Sequence, residues 1–174
     1  KVSDAAKRLE VSTKSASRCF DELEYLNIDV LGTKGKSRVI NIPNDRKQVW
    51  QQIENVLRNP VIRRFVLRED MKLEKKAGIS ALCEYSLLSD NVYPTYAVTK
   101  KELKDSAVKV EKQVSELEEI GCVVLELGYF IDFLGKGFQD PLSVVLSLTG
   151  EEQEEERVDI SINEMLEEYV WSKD

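Results

Sequence analysis

The sequence predicts an α+β chain in which a helix-turn-helix and a β-hairpin come first and a small α/β region follows. Three observations carry that prediction. Two capped segments with apolar residues at spacings of three and four open the chain. β-branched residues stand on both sides of a Gly- and Lys-containing loop directly after them, and the charge changes sign along the chain. Residues 1–76 hold 17 Lys+Arg against 11 Asp+Glu, a net of +6, and residues 77–174 hold 8 against 21, a net of −13. Together these divide the chain into a domain over 1–58, a linker over 59–76 and an acidic α/β domain over 77–174.

Ser3-Asp4-Ala5-Ala6-Lys7-Arg8-Leu9 reads as a short capped helix with Ala6 and Leu9 inward, and a further helix is expected upstream of Ser3 to close the core. After the tight connection Glu10-Val11, Ser12 is a good N-cap for a helix over 12–26. Ala16, Cys19, Phe20, Leu23 and Leu26 form its apolar stripe. The other side reads Lys14, Ser17, Arg18 and Asp21, flanked by Thr13. That face suits an ordinary surface helix, and it equally suits a DNA major groove. Hydroxyls and an amine can hold phosphates, and a guanidinium can reach guanine O6 and N7 with two hydrogen bonds. In the second reading Lys14, Ser17 and Arg18 meet bases, with Ser12, Thr13 and Ser15 near phosphates. Two short helices joined by so few residues, the second bearing the polar face, make a helix-turn-helix.

The stretch 28–42 alternates toward a basic loop, Thr33-Lys34-Gly35-Lys36-Ser37-Arg38, and reads as a hairpin. Its Lys34, Lys36 and Arg38 are placed to meet the sugar-phosphate backbone. Pro43-Asn44-Asp45 then caps a helix from about Arg46 to Arg58, with Val49, Trp50, Ile53, Val56 and Leu57 apolar and Trp50 in the core. Within the linker, Val61 to Met71 leans to strand, and its arginines, Arg63, Arg64 and Arg68, read as a solvated face.

Ala6-Lys7-Arg8-Leu9-Glu10-Val11-Ser12, Ala16-Ser17-Arg18 and Leu23-Glu24 with Leu26 resemble the winged helix-turn-helix of MarR-type bacterial regulators. The motif's usual form has Gly where this chain has Glu10, so the turn needs a left-handed residue there or a different geometry. The resemblance implies that the hairpin is the wing, and that the helix after it serves dimerisation or leads to a second domain.

Farther on, Ile79, Leu82, Cys83 and Leu87 have helical spacing. Pro94 to Val98 is a strand candidate, and Thr99 with Glu102 forms a capping box. Ala107, Val110, Val114, Leu117 and Ile120 make a helical stripe. The β-branched, aromatic run 122–131 reads as a central strand. Asp140-Pro141 opens a helix with Leu142, Val145 and Leu146 inside. The last helix runs from Glu151 through Val170, burying Val158, Ile162, Met165, Leu166 and Tyr169. Gly78-Ile79-Ser80-Ala81-Leu82 and Pro94-Thr95-Tyr96-Ala97-Val98-Thr99 are similar to the segment after the DNA-binding domain of AbiE-type antitoxins. That similarity implies repression of the antitoxin's own operon and a toxin partner with nucleotidyltransferase activity.

The composition argues against an enzyme. With no histidine the chain lacks the usual general base and the usual zinc ligand. Gly32-Thr33-Lys34-Gly35-Lys36-Ser37 lacks the spacing of a phosphate loop and leads into a strand. The carboxylate clusters Glu116-Glu118-Glu119 and 151–156 read as solvated helix faces. Cys19, Cys83 and Cys122 are odd in number and read as reduced core residues. No catalytic residue, metal site or cofactor is expected, and no signal peptide or membrane span is visible, which points to the cytoplasm. The resulting expectation is a sequence-specific transcriptional regulator, a dimeric repressor on double-stranded DNA, with a protein partner or small-molecule effector at its C-terminal domain. The alternative is an antitoxin-like autoregulator whose acidic domain binds a partner protein.

Overall fold

A computed structural model of the chain describes residues 1–105, 120–132 and 134–172. The fold is α+β and divides into two compact units, residues 1–57 and 58–174. The expected helix across 107–120, apart from Ile120, which is not helical, and the cluster Glu116-Glu118-Glu119 lie outside the described residues.

In the first unit, α1 (Val2–Arg8) buries Ala6, but Leu9 is 60% exposed and not inward. The reason is the way α1 ends. Val11 N–H donates to the Ala6 carbonyl and Glu10 N–H to the Lys7 carbonyl, the paired bonds of a Schellman motif, with Glu10 left-handed at φ 53°. Glu10 therefore occupies the position where glycine is favoured, and Leu9 leaves the helix axis. Ser12 then caps α2 (Thr13–Tyr25), its hydroxyl accepting from Ser15 N–H at 3.0 Å. Ala16 and Phe20 are buried and Leu23 half-buried. Cys19 is exposed, contrary to the core role expected of it, because the buried stripe is centred on 16, 20 and 23 and leaves 19 on its flank. Leu26 is exposed in the same way. α2 also ends in a Schellman motif, through Ile28 N–H to Leu23 and Asn27 N–H to Glu24, with Asn27 at φ 52°.

Strands β1 (Leu31–Lys34) and β2 (Ser37–Ile40) pair antiparallel, Leu31 opposite Ile40 and Lys34 opposite Ser37. Gly35 takes φ 65° at the first position of the two-residue turn, where glycine is required. Helix α3 (Arg46–Ile53), capped by Asp45 and burying Trp50, is shorter than expected. It stops before Asn59-Pro60, and Val56 and Leu57 are exposed.

Residues 59–76 are not a linker. Val61–Leu67 forms β3, which pairs antiparallel with β5 (Cys122–Leu127), and β5 pairs parallel with β4 (Thr95–Thr99), giving the order β3-β5-β4. Every residue of β5 is buried, including Glu126 at 2% exposure. Arg63, opposite it in register, donates to its carboxylate and offsets the burial of that charge.

Helix α4 (Gly78–Tyr85) enters with Gly78 at φ 51° and buries Ile79, Ala81, Leu82 and Tyr85. Leu87, expected on its stripe, follows the helix end and is 98% exposed. The capping box of Thr99 and Glu102 opens α5 (Lys100–Asp105). In α6 (Pro141–Ser147), capped by Asp140, the inward residues are Val144 and Leu148, while Leu142, Val145 and Leu146 are half-buried. The expected last helix is broken into α7 (Gly150–Glu154) and α8 (Glu156–Leu166), followed by a π turn at Glu167–Trp171. The break falls at Glu155, within a run of glutamates whose like charges repel at helical spacing. α4, α6 and α8 share one core of Leu82, Val144, Val158, Ile162 and Met165. Among the described residues no helix is long and apolar enough to cross a membrane.

Candidate nucleic-acid interface

The polar face of α2 exists because its buried stripe is narrow. With 16, 20 and 23 turned to the core, positions 14, 18, 21 and 25 fall along the opposite side of the cylinder. Lys14, Arg18 and Asp21 are exposed there, and Tyr25, at 86% exposure, extends the row by one more turn. Tyr25 was not among the residues singled out from sequence, although its spacing from Lys14 and Arg18 was a usable signal. Thr13 and Ser15 are exposed at the first turn, and the Ser12 hydroxyl is shared between Ser15 N–H and the Ser15 hydroxyl at 2.9 Å.

Ser17 and Arg38, expected to be open, are both half-buried, and Arg38 is bonded to Ser17 and to Asp21 of the exposed row. Arg38 lies on β2 opposite Thr33 and reaches back to α2. Its Nη1 donates to Asp21 at 2.6 Å and to Glu24 at 3.4 Å, and its Nη2 donates to Ser17 Oγ at 3.1 Å. The guanidinium carbon also sits 5.8 Å from the centre of the Phe20 ring. The hydrogen bond to Asp21, reinforced by both carboxylates, raises the Arg38 pKa above its ordinary value. Three contacts of this half-buried guanidinium are thus directed at acceptors on its own chain.

Lys34 and Lys36 flank Gly35 at the tip of the hairpin and are exposed. Among the described residues no ion pair engages Lys14, Arg18, Lys34 or Lys36. These four cations stand on one compact unit, two on the helix and two at the hairpin turn.

The overall charge of that unit is smaller than the sequence division suggested. Residues 1–57 hold 10 Lys+Arg against 8 Asp+Glu, a net of +2, and residues 58–174 hold 15 against 24, a net of −9. Arg63, Arg64 and Arg68 are part of the second unit's sheet and its continuation. Arg63 and Arg64 pair there with Glu126 and Glu152. The cations of the α2 face and the hairpin tip are exposed on the first unit, as are Lys7 and Arg8 of α1.

No family model matches the chain, and no curated protein or solved structure matches it. The residues similar to AbiE-type antitoxins have structural work inside the second unit. Ala81 and Leu82 are fully buried, and Ser80 Oγ donates to Asp90 while accepting from Thr95 N–H at 2.7 Å. Among the described residues no group of three or more Cys, Asp or Glu is placed to hold a metal ion.

Proposed function

We propose that the first unit is a winged helix-turn-helix that binds double-stranded DNA by sequence, and that the chain represses transcription as a dimer on a two-fold operator. α2 enters the major groove and the hairpin is the wing. Arg18 reads a guanine through two hydrogen bonds with Lys14 also meeting bases, the hydroxyls of Ser12, Thr13 and Ser15 lie near phosphates, and Lys34 and Lys36 grip the flanking backbone. The observation that carries this reading is the pair of exposed, unpaired cations Lys14 and Arg18 on one stripe of a capped helix, next in sequence to a hairpin tipped by two more. The acidic second unit contributes no residue to it.

Selection of duplexes from a random pool by the full chain tests the proposal. An enriched motif with half-sites separated by about one helical turn is expected. Arg18→Ala is expected to cost about 1–3 kcal/mol against the selected duplex and to relax the motif at one base pair, whereas Lys36→Ala weakens all duplexes alike and lowers the salt slope by about one. Equal binding by wild type and a Lys14→Ala, Arg18→Ala double variant would remove the assignment.

A further inference from the structure

We propose that Arg38 is a positioning residue of the DNA-binding face: it fixes the hairpin at a set distance from α2 and touches no DNA itself. The inference rests on the DNA-binding reading. It is carried by where the three acceptors lie. Ser17, Asp21 and Glu24, with Phe20 between them, occupy successive turns along one side of α2, and one guanidinium from β2 spans them all. That geometry uses the planar fork of arginine, which an ammonium cannot reproduce.

Two consequences follow for binding. A two-stranded hairpin of four-residue strands is marginal by itself in water, so its tip is held only as well as its attachment to the helix. Arg38 stands on β2 two residues after Lys36 of the turn, and Lys34 faces Ser37 across it, so the clamp fixes both lysines relative to Lys14 and Arg18. The span from groove contact to backbone contact is then a property of the protein, and DNA whose groove and backbone do not match it is rejected. Charge is the second consequence. Asp21 and Glu24 lie on the helix that approaches the phosphates, and the guanidinium balances them locally.

Three variants of the full chain distinguish positioning from phosphate contact: Arg38→Ala, Arg38→Lys, and the double variant Asp21→Asn, Glu24→Gln. Each is titrated with the selected duplex and with an unrelated one over a range of salt. Positioning predicts that Arg38→Ala loses about tenfold or more on the selected duplex and little on the unrelated one, with the salt slope unchanged. Arg38→Lys fails to rescue. The carboxylate variant also weakens selected binding, although it removes two negative charges. Amide exchange over residues 31–40 quickens in all three variants while exchange in α1 and α2 stays as in wild type, which also shows that the first unit folds. The proposal is overturned if Arg38→Ala weakens both duplexes equally and lowers the salt slope by about one, if lysine rescues, or if hairpin exchange is unchanged. A wild-type chain that binds neither duplex at low salt overturns the DNA-binding reading itself, a different result from any of these.

Discussion

The two units keep their polar groups in opposite ways. In the second, polar side chains are tied down inside: Glu126 is paired by Arg63, and Gln139 accepts from Gly78 N–H, donates to Ser147 Oγ, and offers its carbonyl to the Tyr85 hydroxyl. β5 is buried along its whole length, and Leu82, Val144 and Met165 are fully enclosed. In the first, the buried set is Ala6, Ala16, Phe20, Ile28, Val30 and Trp50, and the cations of α2 and the hairpin tip face outward without partners. A unit of 57 residues has little surplus stability, since so small a chain buries a modest fraction of its surface. The comparison teaches that the thinly built unit leaves cations outward and unpaired while the densely built one ties its polar groups down inside.

The sharpest way to break this comparison is to empty the small core. Phe20→Ala removes its largest fully buried side chain and is expected to cost about 3–5 kcal/mol, comparable to the whole stability of a unit this size. Thermal unfolding should then lose the first unit's transition and leave the second unit's in place, with DNA binding gone. A single transition displaced as a whole would show that the two units unfold together and that the division is not energetic.

A smaller effect sharpens it in the other direction. Glu10 holds a left-handed backbone that costs an L-residue more than it costs glycine, and glycine gives back part of that gain as chain entropy. Glu10→Gly is expected to stabilise the first unit by about 0.5–1 kcal/mol, measured in denaturant, and to leave the second unchanged. A destabilised variant would mean that the Glu10 side chain has a role in the turn.

Acid should separate the units further, with a smaller effect still. The Lys75 ammonium and then Thr99 N–H hold Glu102 down to about 2, from an ordinary 4.5. A carboxylate depressed on folding contributes stability in full above its unfolded value and loses it as pH falls through the folded one. The second unit's stability should therefore decline between about pH 4.5 and 2, and Glu102→Gln should flatten that decline. An identical acid limb in the variant would remove Glu102 from the account.

Much of the fold was legible because it is local. The Ser12 cap, the 16-20-23 stripe, the Gly35 turn, the Thr99–Glu102 box and the Asp140 cap each depend on residues within a few positions of one another. What stayed hidden depends on distant partners. The segment 59–76 resembled a linker because the strand that pairs with Val61–Leu67 comes some sixty residues later. Arg38 resembled a phosphate contact because a basic hairpin residue does not announce that Asp21 and Glu24 lie across from it. Leu9 and Leu87 had helical spacing but fall just past helix ends, where periodicity no longer sets direction. Val144, the fully buried residue of α6, was missed because its burial depends on α4 and α8, while the expected Leu142 and Val145 pack half-buried against the same core.

Amide exchange of the full chain with and without a selected duplex tests the central claim most directly. Protection is expected at residues 13–18 on α2 and at 34–37 in the hairpin turn, with exchange in the second unit's β5 unaltered. Protection centred on residues 58–174, with α2 and the hairpin turn exchanging as they do in the free chain, would contradict it.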